Sequence, residues 1–304
     1  MAKISVVINT LNEEKNLPFA IRSVKDLADE IVVVDMESED NTVSVAKSLG
    51  AKVFSYRKVG YVEPARNFAI SKATGDWILI LDADERLPVQ LVSKLKKIVK
   101  ENEFDFVFIP RKNLIFGKWI KHCNWWPDYN LRFFRKGLVV WRDEIHSIPE
   151  AKGKGTNLLP REKYAIVHKN YSSVSGYLKR LDRYTTIQSQ EKIAHGYKFD
   201  WKDLIKMPVS EFFRRFFAGK GYKDGVHGLV LSMLQSFSEF VVLIKVWEAK
   251  KFNDLDLDLE EVNDELVNFE KDLNYWKNDM LLKNKEINLV SSLVLKVKRK
   301  LKLI

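Results

Sequence analysis

The stretch Gly75-Asp76-Trp77-Ile78-Leu79-Ile80-Leu81-Asp82-Ala83-Asp84-Glu85 decides the fold class. It consists of an apolar run of strand length that ends abruptly in three carboxylates. A continuous apolar run is typical of a parallel strand buried on both faces, and ligands of open α/β sheets bind beyond the carboxyl ends of the strands. Alternate residues of an extended chain point the same way. We therefore expect Asp82 and Asp84 to hold one Mg²⁺ or Mn²⁺ ion together with substrate phosphates.

The sequence before this stretch alternates between strand and helix patterns. Apolar runs predict strands over 4–9, 30–35, 52–56 and 77–81, and the segments between them predict helices over 17–27, 42–49 and 64–74. Strands that alternate with helices of this length form βαβ units around a parallel sheet. Polar or acidic residues follow three of these strands, at 9–13, at Asp35 and at Asp82 with Asp84. The sequence therefore predicts a ligand site at one edge of the sheet.

Composition and charge limit the classes of partner. Of the 304 residues 46% are apolar, which supports a real core, and the single cysteine, Cys123, fits a reducing compartment. The N-terminus runs directly into the first predicted strand and lacks the features of a signal peptide, so we expect a cytoplasmic protein. The net charge of +10 predicts an anionic partner, such as a phosphate-bearing substrate or anionic lipid. No zinc-finger, RRM or helix-turn-helix signature accompanies that charge, so we expect no nucleic acid.

Three segments resemble blocks of the family 2 glycosyltransferases, which have the GT-A fold, a Rossmann-like and mostly parallel sheet flanked by helices. Residues 5–14 are similar to the family's first strand and turn. Residues 33–42 resemble its VDxGSxDGT block, with Glu37 and Asn41 at the two glycine positions. Ala65-Arg66-Asn67, followed by Gly75-Asp76, resembles the approach to its metal motif. As far as about residue 250, the chain most resembles bacterial lipopolysaccharide-core glucosyltransferases.

This resemblance implies inverting, metal-dependent transfer of a sugar from a nucleotide-sugar, usually a UDP-sugar, to a glycan or lipid-linked acceptor. The residues that would bind the donor are Thr10, Asn12, Glu13, Asp35, Arg66 and Asp82. Asp82 and Asp84 would hold Mn²⁺ or Mg²⁺ on the diphosphate, where the ion neutralises charge as the anomeric bond breaks. His168 is positioned like the late histidine that ligates the metal in many GT-A enzymes.

The acceptor side needs a general base that is separate from the metal carboxylates. In the resembling subfamily an acid follows the histidine, whereas here Ser147 follows His146 and the acids Asp143 and Glu144 precede it. Glu144 is our first candidate for the base and Asp143 the second. His146 itself is a candidate acceptor or diphosphate contact. Further candidate acceptor residues are Trp125, Trp126 and Arg132. Two adjacent tryptophans cannot both face inward along a strand, and Arg132 would meet an anionic acceptor group or pair with Asp128.

The C-terminal half changes character. We predict a catalytic domain over 1–190 (a nucleotide-sugar half over 1–90 and an acceptor half over 91–190), a helical region over 191–252 and a heptad-repeat tail over 253–304. Phenylalanines and arginines over 208–218 favour an interfacial helix on anionic lipid. Residues 226–247 are long enough to span a bilayer, but Glu239 near their middle favours a buried or in-plane helix. We therefore expect peripheral association with the inner face of the cytoplasmic membrane.

The tail carries apolar residues at alternating steps of four and three, beginning at Leu255, ending at Ile304 and broken only at Lys283, which predicts a coiled coil. Its first half is acidic and residues 296–302 are basic, so antiparallel pairing within or between chains would match the charges. The alternative is that the basic end contacts the membrane. We expect a homo-oligomer that assembles through residues 253–304.

Two other classes of protein share parts of this pattern. A sugar nucleotidyltransferase also uses carboxylates and Mg²⁺ on an α/β sheet, but the chain lacks a glycine-rich, basic loop that would cradle a triphosphate. A non-catalytic scaffold could bind nucleotide and assemble partners through the tail. The presence of both Asp82 and Asp84 argues against that alternative.

Overall fold

The computed structural model describes residues 2–58, 62–141, 149–283 and 289–303. The chain forms two compact units. Unit 1 comprises Met1–Ile120 and Trp125–Ser172, and unit 2 comprises Lys121–Asn124 and Ser173–Ile304. The predicted boundary at residue 190 falls inside a helix of unit 2 that spans Val174–Ala194.

Unit 1 is built on a mixed sheet with helices against it. Its strands are β1 (Ile4–Thr10), β2 (Glu30–Asp35), β3 (Lys52–Ser55), β4 (Trp77–Asp82), β5 (Glu85–Arg86), β6 (Phe106–Ile115), β7 (Lys118–Trp119), β8 (Asp128–Arg135), β9 (Val139–Val140), β10 (Glu150–Ala151), β11 (Gly155–Asn157) and β12 (Ile166–Tyr171). Its α-helices are α1 (Leu17–Val24), α2 (Thr42–Ser48), α3 (Glu63–Lys72) and α4 (Val89–Glu101). The strand order is β3-β2-β1-β4-β8-β6-β12-β5, β7 and β11 pair with β6, and β9 and β10 pair with each other.

Strand directions bring the site elements to one edge. Strands β1 to β4 are mutually parallel, β8 runs antiparallel to both β4 and β6, and β12 runs parallel to β6. The carboxyl ends of β1, β2, β4, β6 and β12 therefore lie on the same side of the sheet.

The stretch over 77–81 shows why this half of the chain reads as a continuous apolar run. Leu79 and Leu81 are fully buried on one face of the sheet, in the cluster that also contains Leu17 of α1. Ile78 and Ile80 are buried on the other face, in the cluster that contains Ala69 of α3. Because consecutive strand residues point to opposite faces, covering both faces requires apolar residues at every position.

Unit 2 is helical where the structure describes it. Its α-helices are α5 (Val174–Ala194), α6 (Asp203–Phe213), α7 (Val226–Ala249), α8 (Leu259–Leu282) and α9 (Leu289–Leu301). A π-helical turn over Arg214–Ala218 and a 3₁₀ turn over Gly221–Asp224 connect α6 to α7. The predicted fold class, an α/β sheet domain followed by a helical C-terminal region, is confirmed.

Helix α7 is the centre of unit 2. Its Gln235 donates a hydrogen bond of 2.6 Å to the hydroxyl of Tyr177 on α5, and its Ser236 hydroxyl donates one of 2.6 Å to the carbonyl of Pro208 on α6. At its start the helix lies so close to the preceding turn that a Cβ on Gly228 would come within 1.8 Å of the Gly221 carbonyl oxygen. Glycine at position 228 is therefore required by packing.

The phenylalanines predicted to face lipid are partly used for internal packing. Phe213 and Phe217 are buried. The ring of Phe213 stacks 5.9 Å from Phe269, and that of Phe217 stacks 5.5 Å from Trp276, both on α8. This pair is thus covered by the chain's own tail and does not form a free apolar surface over 208–218.

The tail forms a helical pair within the chain. Asp279 of α8 accepts an ion pair of 2.7 Å from Arg299 of α9, and the Leu303 carbonyl accepts a 2.7 Å hydrogen bond from Asn278. Asp272 pairs with Lys302, so residues earlier in α8 meet residues later in α9 and the two helices are antiparallel. The acidic and basic halves of the tail therefore neutralise each other within one chain, which is one of the two arrangements that the charges predicted.

Candidate active site

The turns that follow β1 and β2 are joined around Asp35. Its buried carboxylate accepts hydrogen bonds from the Thr10 hydroxyl at 3.1 Å, the Ser38 hydroxyl at 2.5 Å and the Ser38 backbone N–H at 2.9 Å. Two predicted donor-binding residues, Thr10 and Asp35, therefore lie side by side at the carboxyl edge of the sheet. Their mutual hydrogen bond fixes the shape of the edge where a nucleotide was predicted.

The backbone of the first turn is attached to the second turn by side chains. The Asn12 N–H donates to the Ser38 hydroxyl and the Glu39 N–H donates to the Asn12 side-chain oxygen, each at 2.8 Å. The Glu13 N–H donates to the Thr42 hydroxyl at 2.8 Å. Asn12 adopts a left-handed conformation with φ of 56°, which asparagine tolerates better than most residues. The predicted donor residues of both turns thus belong to one hydrogen-bonded assembly.

The backbone conformation of Glu37 explains why the resembling family has glycine at this position. Its φ is 60°, in the left-handed region that glycine adopts without a Cβ penalty. The Glu37 carboxylate accepts a 3.3 Å hydrogen bond from the Lys58 backbone N–H. The glycine in the resembled sequence block therefore reflects backbone conformation at this position.

Asp82, the last residue of β4, is held by two arginines. One carboxylate oxygen lies 2.6 Å from Arg132 of β8 and the other 3.2 Å from Arg66 of α3. Burial by itself would raise the pKa of Asp82, but the charges of Arg132 and Arg66 outweigh burial and hold the pKa well below its usual value. Arg66, a predicted donor residue, is thus brought together with the metal motif.

Arg132 has neither of its predicted partners, an anionic acceptor group or Asp128. It is 4% exposed, and its guanidinium also lies 3.1 Å from Glu85. The residue that pairs with Asp128 is Arg111, at 2.8 Å. Arg132 therefore neutralises the carboxylates behind the metal motif and is not positioned to meet an acceptor in solvent.

Glu85 completes this ionic network. It is fully buried and accepts a 2.9 Å hydrogen bond from the Asp82 backbone N–H, besides its contacts with Arg132 and, at 3.5 Å, with Arg111. Burial by itself would raise the pKa of Asp128, but the charge of Arg111 together with hydrogen bonds from Asn113, Arg111 and Asn130 outweighs burial and lowers the pKa below its usual value. A continuous chain of ion pairs therefore runs from Asp82 through Glu85 to Asp128.

Asp84 and His168 form the chemically open part of the site. The Nε2 atom of His168 lies 3.3 Å from an Asp84 carboxylate oxygen, and its Nδ1 lies 2.7 Å from the side-chain oxygen of Asn113. An amide oxygen only accepts hydrogen bonds, so Nδ1 carries the hydrogen in this contact. In the neutral ring, Nε2 then directs its lone pair towards a carboxylate that also accepts. A proton or a metal cation between the two acceptors would satisfy both.

The charge of the cluster favours a cation at this point. Four carboxylates, those of Asp82, Asp84, Glu85 and Asp128, face the guanidinium groups of Arg66, Arg111 and Arg132. The carboxylate left without a guanidinium in the described network is that of Asp84. Among the residues that the structure describes, no group of three or more histidine, cysteine, aspartate or glutamate side chains is arranged to hold a metal ion. Asp82, the third predicted metal ligand, has one carboxylate oxygen paired with Arg66 and the other with Arg132, so the predicted ligands left open to a divalent cation are Asp84 and His168.

Two buried polar atoms next to Asp82 have no hydrogen-bond partner within the described parts of the chain. They are the second terminal nitrogen of Arg66 and the side-chain oxygen of Asn9. Unsatisfied buried polar groups are rare and costly in native proteins. The Arg66 nitrogen is a cationic donor, so an anionic oxygen of a ligand would satisfy it.

The predicted acceptor tryptophans are connected to the same network. Asn113 donates from its amide nitrogen to the Trp125 carbonyl at 3.3 Å and to Asp128 at 2.9 Å. Trp126 is half-buried and meets the ring of Trp119 edge-on, with centroids 5.1 Å apart. The tryptophan segment and His168 are therefore positioned by one residue, Asn113.

The predicted base residues Asp143 and Glu144, together with His146, lie outside the described residues. The residue before them is well anchored, because Asn67 donates to the Trp141 carbonyl at 2.7 Å and accepts from the Trp141 N–H at 3.1 Å. Asn67 immediately follows Arg66 on α3. The chain therefore enters the predicted base segment from a point fixed beside a predicted donor residue.

Sequence reasoning gave no role to Arg111, Asn113 or Glu85. A signal for the first two was present, because they occupy alternate positions of β6 while Asp128 and Arg132 occupy the same face of the neighbouring β8. Alternating polar residues in central strands indicate a polar face. Pairing between β6 and β8 had to be known before the charges could be matched.

Comparison with known proteins identifies the family. The family model described as "Glycosyl transferase family 2" matches residues 5–150. An uncharacterized glycosyltransferase of Rickettsia felis is 30% identical over 260 residues, which cover 82% of this chain and 91% of the relative. The chain belongs to glycosyltransferase family 2, and the resemblance found in its sequence motifs is confirmed.

Two further similarities are more distant. The lipopolysaccharide core biosynthesis glycosyltransferase LpsC of Rhizobium meliloti is 24% identical over 254 residues, which cover 81% of this chain and 92% of LpsC. The crystal structure of S. aureus TarS 1–349 is similar with a TM-score of 0.43 and 14% identity, over 84% of this chain and 94% of that one.

Proposed function

We propose that this glycosyltransferase transfers a sugar from a UDP-sugar, with inversion and with a divalent cation, to a glycan or lipid-linked acceptor. The observation that carries the proposal is the pairing of two acceptor groups, Asp84 and His168, beside three arginines at the carboxyl edge of the sheet, of which Arg66 and Arg132 are buried. This arrangement combines a site for a cation with guanidinium groups for phosphate. Membership in the family favours this function over the nucleotidyltransferase and scaffold alternatives.

Asp84 and His168 would ligate Mn²⁺ or Mg²⁺, with diphosphate oxygens completing the coordination. When bound, the cation stabilises the negative charge that develops on the departing nucleoside diphosphate. Asp82, both of whose oxygens are held by arginines, orients Arg66, and the unsatisfied Arg66 nitrogen binds the diphosphate. Asn113 keeps the His168 ring in the tautomer that leaves Nε2 available.

The acceptor hydroxyl loses its proton to a carboxylate of the segment after Trp141, with Glu144 as the base and Asp143 as the alternative. Such a base permits attack on the anomeric carbon from the face opposite the diphosphate, which is the stereochemistry of inversion. Glu144→Gln should lower turnover far more than donor binding, since the amide cannot accept the proton. If Asp143→Asn produces that pattern and Glu144→Gln does not, the base is Asp143.

The acceptor belongs to cell-envelope glycan synthesis, in particular lipopolysaccharide, and the enzyme works in the cytoplasm at the inner face of the membrane. The similarity to LpsC supports the choice of glycan. The net charge of +10 supports an anionic surface as partner. Trp125 and Trp126 would contact the acceptor sugar through their ring faces.

The chain self-associates through residues 253–304. Support comes from heptad residues left exposed on the helical pair, including Leu266 at 51% and Val297 at 56%. Light scattering should give a mass above that of one chain, and Leu266→Glu with Val297→Glu should reduce it to one chain. A wild-type protein that is monomeric at all concentrations tested would remove this part of the proposal.

The donor site is tested by calorimetric titration of UDP into the full chain with and without Mn²⁺. Binding that requires Mn²⁺ supports the donor and the cation together and justifies a screen of UDP-sugars. If UDP does not bind in either condition but GDP, dTDP or CMP does, that nucleotide replaces UDP as the proposed donor nucleotide. Binding that is equally strong without metal would contradict the role of Asp84 and His168.

A further inference from the structure

Helix α7 carries an uninterrupted apolar face that the described parts of the chain leave open. Its members recur every three or four residues and therefore lie on one side of the helix. The five most exposed are Val226 (74%), Leu229 (39%), Val230 (36%), Met233 (58%) and Phe237 (48%). Phe240 and Ile244, both half-buried, continue the same side. We refer to these seven residues as the α7 apolar face.

The opposite side of α7 is the side that packs within unit 2. Gly228, Ser232, Val242 and Val246 are buried there. The charge of Lys245 is also on the packed side, since its ammonium group lies 2.7 Å from Asp182 of α5. Glu239 lines an open pocket together with residues of α6 and α8. Except for Glu248, which is exposed one turn after Ile244 on the side of the apolar face, the charged residues of the helix lie away from that face, as in a helix at a boundary between protein and an apolar phase.

Basic residues stand at both ends of the α7 apolar face. Lys220 and Lys223 are exposed just before the helix, and Lys250 and Lys251 are exposed just after it, next to a single exposed carboxylate, Glu248. A helix of 24 residues is about 36 Å long. Phe252, 55% exposed, meets the ring of Trp247 at 5.0 Å near the C-terminal end. Aromatic and basic residues at this position are typical of contact with lipid headgroups.

We propose that the α7 apolar face inserts into one leaflet of an anionic lipid bilayer, with the helix lying in the membrane plane. The apolar side chains would enter the acyl region, and the lysines at both ends would contact the anionic headgroups. This proposal extends the membrane association stated above. It does not depend on transferase activity, because lipid binding is measured without donor or acceptor.

Charge decides between lipid and a second copy of the chain. A symmetric dimer through one face brings the same patch of both copies together. Parallel or antiparallel pairing of two α7 helices would set lysines of one copy against lysines of the other. An anionic bilayer neutralises them, and each lysine near such a surface strengthens the attraction.

One-sided packing decides between an in-plane helix and a span. The helix is long and apolar enough to cross a membrane by length and composition. However, its packed side is occupied by α5 and α6, which place Lys245 and Asp182 next to it. An in-plane position satisfies both sides of the helix.

The test is sedimentation of the full-length protein with vesicles. Wild type should bind vesicles of phosphatidylglycerol and phosphatidylethanolamine, and bind pure phosphatidylcholine vesicles much more weakly. The variant Met233→Glu with Phe237→Glu should lose at least about tenfold in partitioning, since each side chain no longer enters the acyl region. The control Val89→Glu with Leu159→Glu changes two apolar residues of unit 1 that are 74% and 58% exposed, and should bind like wild type.

A second measurement covers the case in which the double variant fails to fold. Because Cys123 is fully buried, a cysteine placed at Met233 can be labelled selectively with an environment-sensitive fluorophore. Its emission should shift to the blue and increase on anionic vesicles, whereas the same label on Val89→Cys should not respond. No vesicle binding by wild type, equal loss in the control, or a label at 233 that does not respond would each overturn the proposal. A monomer–dimer shift abolished by the Met233→Glu, Phe237→Glu pair would assign the face to a second copy instead.

Discussion

Two polar clusters lie at the carboxyl edge of the sheet and are held together in different ways. Behind β1 and β2, Asp35 is surrounded by hydroxyl and backbone donors of two turns. Behind β4, the carboxylates of Asp82 and Glu85 are surrounded by arginines that come from α3, β6 and β8. We call these the turn cluster and the ion cluster.

The difference lies in what a lost partner costs. A typical hydrogen bond of the turn cluster contributes about 1 kcal/mol net. Removing one member of a buried ion pair leaves an uncompensated charge and costs about 3–5 kcal/mol. The turn cluster can therefore adapt to changes in sequence, whereas the ion cluster is nearly all-or-none. It follows that the ion cluster, which lies next to Asp84 and His168, is the less adaptable of the two clusters.

The largest effect is expected at the open end of the ion cluster. Asp84→Asn should reduce transfer at least about 10³-fold, because it removes the negative charge that balances the cation in the transition state. Its melting temperature should stay close to that of wild type, since Asp84 has no guanidinium partner in the described network.

Asp76→Asn is the matched control for that change. Asp76 precedes the same strand at its opposite end and accepts a 2.8 Å hydrogen bond from the Lys3 N–H, far from the carboxyl edge. Steady-state rates with donor and acceptor should be unchanged by it. Retention of activity in Asp84→Asn would remove Asp84 from the site.

The next largest effect is on stability. Arg132→Met keeps an unbranched apolar stem but leaves Asp82 and Glu85 with a deficit of positive charge, and should cost about 3–5 kcal/mol in urea unfolding. Lys97→Met removes an exposed ion pair with Glu101 and should cost less than about 1 kcal/mol. Equal decreases in the free energy of unfolding would show that the ion pairs of the ion cluster contribute no more to stability than an exposed ion pair.

These two clusters also differ in how far the sequence predicts them. The turn cluster is built from two short sequence blocks: Asp35, Ser38 and Thr42 lie in one, and Thr10 lies 25 residues before Asp35 in the other. Both blocks match motifs at the ends of predicted parallel strands, and this indicates their proximity. Element positions from residue 4 to 82 follow from the same local signals, namely apolar runs, caps and glycines. For this half of unit 1, fold and edge residues are predicted nearly in full.

The ion cluster is not local, and its pairing could not be predicted. Arg132 lies 50 residues from Asp82, and they meet because β8 pairs antiparallel with β4. The same applies to Asn113 and His168, 55 residues apart. In unit 2, helical spacing identified Phe213 and Phe217 as apolar but not what covers them. Which apolar face stays exposed depends on tertiary packing, so the exposed face was found on α7 instead.

Glu30, at the opposite edge of the sheet, has partners typical of both clusters, namely a charged side chain, a hydroxyl and a backbone N–H. It therefore allows the effect of mixed partners on one carboxylate to be measured. Glu30 accepts hydrogen bonds from Lys52, the Ser5 hydroxyl and the Thr74 N–H, at 2.6 to 2.7 Å. Burial would raise the pKa of Glu30, but these three donors outweigh it and lower the pKa to about 2. A lowered pKa stabilises the fold above the unfolded value of 4.5, and this stabilisation is lost as pH falls from 4.5 towards 2.

Glu30→Gln should therefore destabilise the protein at pH 7 by on the order of 2 kcal/mol. It should also flatten the dependence of the unfolding free energy on pH between 4.5 and 2. Chemical denaturation of wild type and variant at several pH values measures both quantities. Identical slopes would mean that the mixed donors around Glu30 do not favour its ionised form.

The smallest effect is expected inside the turn cluster, at Glu37. Its left-handed backbone costs a residue with a Cβ about 1–2 kcal/mol, part of which glycine gives back through its greater freedom in the unfolded chain. Glu37→Gly should therefore stabilise the protein by up to about 1 kcal/mol, measured by urea unfolding. Glu37→Ala keeps the backbone strain and removes only the carboxylate that accepts from the Lys58 N–H, so it should not stabilise. If both variants stabilise equally, the strain is not in the backbone, and the carboxylate itself is the unfavourable group, repelled by its acidic neighbours in the turn. If only the glycine variant has a higher free energy of unfolding, and its affinity for nucleotide is unchanged, the turn cluster tolerates backbone strain at Glu37. We expect no such tolerance of a lost partner in the ion cluster.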